Sequence, residues 1–124
     1  MAKVFLDANA LIDFITPRSN LNLDNFLEHT IFLSPISIHI LFYTQKYKVP
    51  RKDFDKIINR CEIVNLSREI AHKSLIGPTQ DFEDNVQLQS AVEAKVEYFL
   101  TSDRKLLTLG VFGKTEIVSS LQTN

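Results

Sequence analysis

Residues 3–14 read KVFLDANALIDF, a short apolar run that ends on a carboxylate and continues with apolar residues at helical spacing. The run from Lys3 to Asp7 predicts a buried parallel strand, and the residues from Asn9 to about Ile15 predict a helix. Asp7 then stands at the carboxyl end of the strand, where open α/β sheets have their ligand sites. This stretch predicts an α/β fold with a site beside Asp7.

The rest of the chain repeats this alternation of strand and helix. Further strands are predicted at residues 31–33, 62–66, 97–101 and 116–118, and helices at residues 35–47, 51–60, 67–76, 81–95 and 103–109. Strands that alternate with helices form a parallel sheet with helices on both faces. We therefore expect a three-layer α/β/α sandwich with a central, mainly parallel sheet of about five strands, in which residues 1–124 form a single domain.

The composition is that of an ordinary globular protein, with 124 residues, 44% of them hydrophobic and 23% charged, and a formal net charge of −1. A single cysteine, Cys61, excludes an internal disulfide framework and is typical of a reducing compartment. No apolar run approaches the roughly 20 residues of a membrane-spanning helix, and the N-terminus lacks the pattern of a secretory signal. We therefore expect a cytoplasmic protein that has no membrane partner.

Three acidic residues are predicted at one edge of the sheet. Asp7 follows the first strand, Asp84 lies at the start of a helix, and Asp103 follows the fourth strand. Like charges so close together are unfavourable without a cation, and Mg²⁺ or Mn²⁺ prefers such oxygen ligands and bridges to phosphates. The pattern predicts a site for metal-assisted phosphodiester hydrolysis.

Each of these acids also has a structural explanation that involves no ligand. Asp7 and Asn9 are candidates to cap the first helix, and Asp103 is a candidate to cap the helix after the fourth strand. Glu83 and Asp84 lie in a first helical turn, where acids complement the helix dipole. The residues alone leave both interpretations open.

Three segments resemble the three sequence blocks of the PIN domain family. They are FLDANALID at residues 5–13, FEDNVQ at residues 82–87 with Ser90 and Ala91 after it, and YFLTSD at residues 98–103. Their order and spacing match the family over essentially the full chain. The family consists of metal-dependent ribonucleases, many of them toxins of bacterial toxin-antitoxin pairs. The resemblance implies a PIN-like fold, Mg²⁺ or Mn²⁺ as cofactor, RNA as substrate and an antitoxin as protein partner.

Carried over to the matching positions, the resemblance assigns the metal and the catalysis to Asp7, Asp84 and Asp103. Asn9 would orient Asp7 and the waters of the metal, and Thr101 would support the last block. These five roles are implied by the similarity of the blocks.

The sequence departs from the family at one position. The helix after the second strand usually carries a glutamate that completes the acidic cluster, and Ile40 stands in its place. The neighbouring His39 either compensates, as a ligand or proton shuttle, or is an ordinary partly buried or surface histidine. Glu83, which has no firm counterpart in the motif, would add negative potential. The departure leaves an alternative open, in which the chain is a degenerate, non-catalytic PIN-fold module that binds RNA or a protein partner.

Basic residues are candidates to contact the phosphates of RNA. They are Arg104 and Lys105 beside the last acid, and Lys46, Lys48, Arg51 and Lys52 in a basic stretch. For the stretch, the alternative is a solvated helix face. Apolar faces around Phe42, Tyr43 and Tyr47 either pack in the core or serve an antitoxin or the second copy of a homodimer.

Overall fold

The computed structural model describes residues 2–15 and 28–121. Its strands are β1 (Lys3–Leu6), β2 (Thr30–Leu33), β3 (Cys61–Ile63), β4 (Tyr98–Leu100), β5 (Val111–Phe112) and β6 (Thr115–Val118). They form one sheet in the order β3-β2-β1-β4-β6-β5, and every neighbouring pair is parallel except β5 and β6. Because β1 and β4 are adjacent in the middle of the sheet, the residues that follow them meet at its carboxyl edge.

Six helices connect and cover these strands. They are α1 (Ala8–Ile15), α2 (Pro35–Thr44), α3 (Asp55–Arg60) with a 3-10 turn (Lys52–Phe54) before it, α4 (Arg68–Ser74), α5 (Phe82–Glu93) and α6 (Arg104–Leu109). In the described part of the chain, no helix is long and apolar enough to cross a membrane.

The side chains of β1 show how the three layers are built. Val4 and Leu6 are buried in one apolar cluster with residues of α1 and α2, on one face of the sheet. Phe5 points to the other face and is buried with residues of α5 and α6, where its ring stacks on that of Phe99 with 5.4 Å between the centroids. A strand buried on both faces reads as a continuous apolar run, which is the pattern of residues 4–6. The predicted α/β/α sandwich with a mainly parallel sheet is confirmed.

The sheet has one strand more than the sequence analysis expected. Val111 and Phe112 form β5, which pairs antiparallel with β6 across a turn at Gly113 and Lys114. Gly113 has a φ of +62°, a left-handed conformation that glycine adopts at little cost in such hairpin turns. Two residues are too few to show the alternation by which a strand is recognised, so β5 adds one strand to the about five that were expected.

Asn85 fastens the loop before α5 to the end of α4. Its buried side chain accepts hydrogen bonds at Oδ1 from the backbone N–H (2.8 Å) and hydroxyl (2.6 Å) of Thr79. Its Nδ2 donates to the backbone carbonyls of Ser74 (2.8 Å) and Thr79 (3.0 Å). One amide thus fixes the approach to the first turn of α5.

Replacing Asn85 with alanine is expected to lower the free energy of unfolding by about 2–4 kcal/mol, because several buried polar groups lose their partner together. Urea denaturation of the purified variant measures this loss. Asn59→Ala is the matched control, since Asn59 is exposed on α3, and its effect is expected to stay within about 0.5 kcal/mol. Equal unfolding midpoints for the two variants would contradict the role given to Asn85.

Candidate functional site

Asp7 follows β1 directly and is only 3% exposed. Its Oδ1 accepts a hydrogen bond from the backbone N–H of Ala10 (2.8 Å), so Asp7 caps the first turn of α1. Its Oδ2 accepts a hydrogen bond from the hydroxyl of Thr101. Each carboxylate oxygen has a second lone pair, so capping and ligand binding do not exclude each other.

Thr101 connects Asp7 to Asp103. Its buried hydroxyl donates to Asp7 and accepts from the backbone N–H of Asp103 (3.0 Å). Asp103 in turn caps α6, because its Oδ1 accepts from the backbone N–H of Lys105 (2.9 Å). The caps proposed for Asp7 and Asp103 as structural explanations are therefore present, and one hydroxyl couples the two acids.

Asp84 lies in the first turn of α5, which Asp81 caps by accepting from the backbone N–H of Asp84 (3.0 Å). Asp84 is half-buried and opens into a groove of about 520 Å³, which we call the α5–α6 groove. Its lining residues come from the loop before α5 and from the start of each helix, namely Thr79, Gln80, Asp81, Asp84, Asp103, Lys105 and Leu106. Two of the three predicted acids thus face one groove.

Asp7, Asp84 and Asp103, which we call the acidic cluster, lie in one electrostatic field. Burial raises the pKa of Asp7 to about 6, with smaller contributions from Asp103 and Asp13, against the hydrogen bonds from Thr101 and Ala10. Burial also raises the pKa of Asp84 to about 6, and the neighbouring acids, Asp103 and Asp7 among them, add to the shift. The carboxylates therefore repel one another at neutral pH.

Within the described residues, no ion pair involves this cluster. The ion pairs found there join Arg51 to Asp53 (3.4 Å) and Lys73 to Glu69 (3.1 Å), away from the cluster. Carboxylate oxygens are the donors that Mg²⁺ and Mn²⁺ prefer, so the donor chemistry fits such an ion. As they stand, however, no three Asp, Glu, His or Cys side chains of residues 2–15 and 28–121 are placed to hold one ion. Binding would require the carboxylates to draw closer.

A second groove lies between α2 and α5. This α2–α5 groove has a volume of about 430 Å³ and is lined by His39, Ile40, Tyr43, Thr44 and Glu83. Ile40, which stands where the family has its glutamate, therefore shares a groove with the Glu83 carboxylate. An acid is present there, but it is provided by α5 instead of α2.

Gln87 is a site residue that the sequence analysis quoted without giving it a role. Its buried Oε1 accepts from the backbone N–H of Ala8 (2.7 Å) and from the hydroxyl of Ser37 (3.1 Å). Its Nε2 donates to the backbone carbonyl of Glu83 (3.4 Å). Gln87 thus fixes α5 against the turn that carries Asp7. The available signal was its position one turn after Asp84, on the same side of the helix.

The other predicted site residues lie around this centre. Asn9 is exposed, and the partners of the Asp7 carboxylate are Ala10 and Thr101. Lys105 lines the α5–α6 groove, whereas its exposed neighbour Arg104 is not among the lining residues.

The basic stretch and the aromatic residues divide into packed and free side chains. Lys46, Lys48 and Lys52 are exposed after α2, whereas Arg51 lies over the ring of Tyr47 at 3.8 Å and pairs with Asp53. The ring of Phe42 packs edge-on against those of Tyr47 (5.6 Å) and Phe54 (5.3 Å). Tyr43, by contrast, is 77% exposed. Of the apolar face considered for a partner, Tyr43 is the aromatic side chain that remains accessible.

The layers and the strand order are those of a PIN-like α/β/α fold. No protein-family model matches the chain, and no curated protein does. Among solved structures, the chain is similar to one in VapBC2 from Rickettsia felis bound to a DNA fragment from their promoter. The TM-score is 0.67 at 16% sequence identity, and the match covers 94% of this chain and 97% of the other. The two chains thus share their fold over nearly their whole length.

Proposed function

We propose that this protein is a Mg²⁺- or Mn²⁺-dependent ribonuclease that hydrolyses RNA phosphodiesters. The observation that carries the proposal is the acidic cluster, in which three carboxylates from two strand ends and a helix start share one field without an ion-pair partner among the described residues. Such a cluster destabilises the fold at neutral pH, which is the expected cost of a cation site.

The residues of the site would have distinct roles. Asp7, Asp84 and Asp103 would hold the ion, and Thr101 keeps the first and last of these in register through its two hydrogen bonds. When bound, the ion would neutralise the carboxylates and polarise a phosphoryl oxygen. Lys105, in the same groove, would bind a phosphate of the RNA and so orient the strand.

We further propose that the protein is the toxin component of a toxin-antitoxin pair, as the resemblance of the three sequence blocks implies. An antitoxin would then cover the grooves on either side of α5 and exclude RNA from them. The structural neighbour is itself a VapBC2 assembly bound to promoter DNA, which supports a search for a protein partner. A homodimer stays a prediction, and light scattering at high concentration that detects monomer alone would contradict it.

The direct test is cleavage of a labelled RNA by the wild-type protein and by Asp84→Asn. Cleavage is expected with Mn²⁺ or Mg²⁺, not with EDTA, and at least about tenfold more slowly in the variant, because loss of a metal ligand exceeds the loss of an outer-shell partner. Glu93→Gln is the matched control, since Glu93 is exposed in the last turn of the same helix. Cleavage that persists in EDTA would overturn the proposed metal dependence.

A second candidate function is a non-catalytic module that binds RNA or a protein. Two observations favour it, namely Ile40 in place of the glutamate and the lack of three converging metal ligands among the described residues. RNA binding without Mn²⁺-dependent cleavage, unchanged in Asp84→Asn, would identify this alternative.

Replacing Lys105 with alanine is expected to weaken RNA binding about three- to tenfold. The slope of log affinity against log salt concentration is expected to fall by about one, which corresponds to one phosphate contact. The measurement is fluorescence anisotropy at several salt concentrations, with Ca²⁺ in place of Mn²⁺. Arg104→Ala is the control, because Arg104 is equally charged but is not among the residues lining the α5–α6 groove. Equal losses of RNA affinity in the two variants would contradict a specific phosphate contact by Lys105.

A further inference from the structure

The exposed face of α2 carries two neighbouring aromatic rings whose planes are close to parallel. His39 and Tyr43 are one turn apart, their ring centroids are 6.3 Å apart, and their planes are inclined by 27°. Both side chains are exposed, Tyr43 by 77%. Two exposed rings that bury little surface contribute little to the core. Together they offer a flat apolar platform to a ligand.

Glu83 lines the α2–α5 groove together with these rings. An ionised carboxylate only accepts hydrogen bonds, so it selects a ligand edge that carries donors. The groove therefore combines a platform for a planar ring with an acceptor for its edge. This is the combination by which proteins bind an unpaired nucleobase.

The first turn of α5 connects this groove to the acidic cluster. Glu83 lines the α2–α5 groove and the next residue, Asp84, lines the α5–α6 groove, so the two grooves meet at this turn. Exposed Lys46 and Lys48 lie two and four residues after the end of α2 at Thr44. An RNA strand with one base in the α2–α5 groove would thus have the acidic cluster on one side and basic side chains on the other.

We propose that the α2–α5 groove is a base-specific subsite that takes an unpaired guanine of the RNA, stacked on Tyr43 and His39 with its edge on Glu83. Guanine presents two adjacent donors, N1–H and N2–H, which match the two oxygens of one carboxylate. Adenine and uracil lack such a pair. The base is uncharged, so the negative field of the acids does not oppose it as it would a phosphate. This inference rests on the proposed ribonuclease function and deepens it.

The test measures anisotropy of labelled RNA hexamers of sequence UUGUUU, UUAUUU and UUIUUU, where I is inosine, with Ca²⁺ in place of Mn²⁺. Wild-type protein is expected to prefer guanine to adenine at least about fivefold, with inosine between them because it lacks the N2 amine. Glu83→Gln is expected to remove the preference. Tyr43→Leu is expected to weaken binding of all three hexamers about fivefold or more. Tyr43→Phe keeps the aromatic ring and is expected to bind them as the wild type does. Glu93→Gln, at the far end of α5, is the matched control.

The outcomes separate this inference from the function on which it rests. Metal-dependent cleavage with equal affinity for the three hexamers, unaffected by the Glu83 and Tyr43 variants, would overturn the guanine subsite and leave the ribonuclease standing. Absence of RNA binding and of cleavage would overturn both. If the same variants changed only the oligomeric state in light scattering, the groove would belong to a second copy of the chain, and the subsite would again be wrong.

Discussion

Asp7→Asn is expected to abolish Mn²⁺ binding and to lower RNA cleavage at least about 100-fold while the protein stays folded. Asp7 is the most enclosed of the three carboxylates, and its Oδ2 accepts a hydrogen bond from the hydroxyl of Thr101. Loss of a buried ligand to the metal exceeds the roughly 10- to 100-fold cost of losing an outer-shell partner. The asparagine side chain still accepts from the backbone N–H of Ala10 through its Oδ1, so the turn into α1 is kept.

Calorimetric titration with Mn²⁺ and cleavage of labelled RNA, made on the same protein samples, check this result, with circular dichroism to establish folding. Asp55→Asn is the control, because Asp55 is exposed at the start of α3. If the wild-type protein neither binds Mn²⁺ nor cuts RNA, the result would favour the non-catalytic module. A variant that binds Mn²⁺ as the wild type does would show that Asp7 is not a ligand.

The second large effect concerns the free energy of unfolding. Asp7→Asn is expected to become more stable relative to the wild type as the pH rises. The pKa of Asp7 is raised by burial from 3.8 to about 6. Between these pH values the folded protein keeps a proton that the unfolded chain has released, so raising the pH weakens folding. Well below pH 3.8 both states are protonated and the cost is absent, whereas well above pH 6 it is complete, at about 2–3 kcal/mol.

Urea denaturation of both proteins between pH 4 and pH 7.5 measures this difference. The stability of the variant minus that of the wild type is expected to increase by about 2–3 kcal/mol over the range, and this change is independent of any constant effect of the altered hydrogen bond to Thr101. Mn²⁺ at about 100 times its Kd should add about 2.7 kcal/mol to the wild type alone. Parallel stability curves for the two proteins would contradict the raised pKa of Asp7.

Much of the fold could be predicted from the sequence because the central strands are buried on both faces. Such strands appear as continuous apolar runs, as in residues 4–6 and 98–100, and the helices between them carry apolar residues at helical spacing. Of the terminal hairpin, β6 was predicted at residues 116–118, whereas β5 could not be found in this way, since it has two residues. Its signal was the turn at Gly113 instead of any periodicity.

The candidate site could be predicted only in part, for a physical reason. The sequence places Asp7, Asp84 and Asp103 at ends of elements that meet at one edge, and their shared field in the structure agrees with that placement. It does not show which side chains hold these elements together, because Gln87 finds its partners 79 and 50 residues away. Nor does it show that Lys105, and not Arg104, turns toward the groove, since that depends on the orientation of α6.

The position of the two grooves on either side of the first turn of α5 has an evolutionary consequence. Asp7 accepts from the buried Thr101 hydroxyl, and the buried amide of Gln87 holds α5 beside the turn that carries Asp7. These two supporting residues tolerate few substitutions without loss of stability. His39 and Tyr43 are exposed on α2 and carry little of the core, so they can be exchanged at small cost. Descendants of this chain could therefore acquire new targets by drift on one helical face while the reaction centre stays constant.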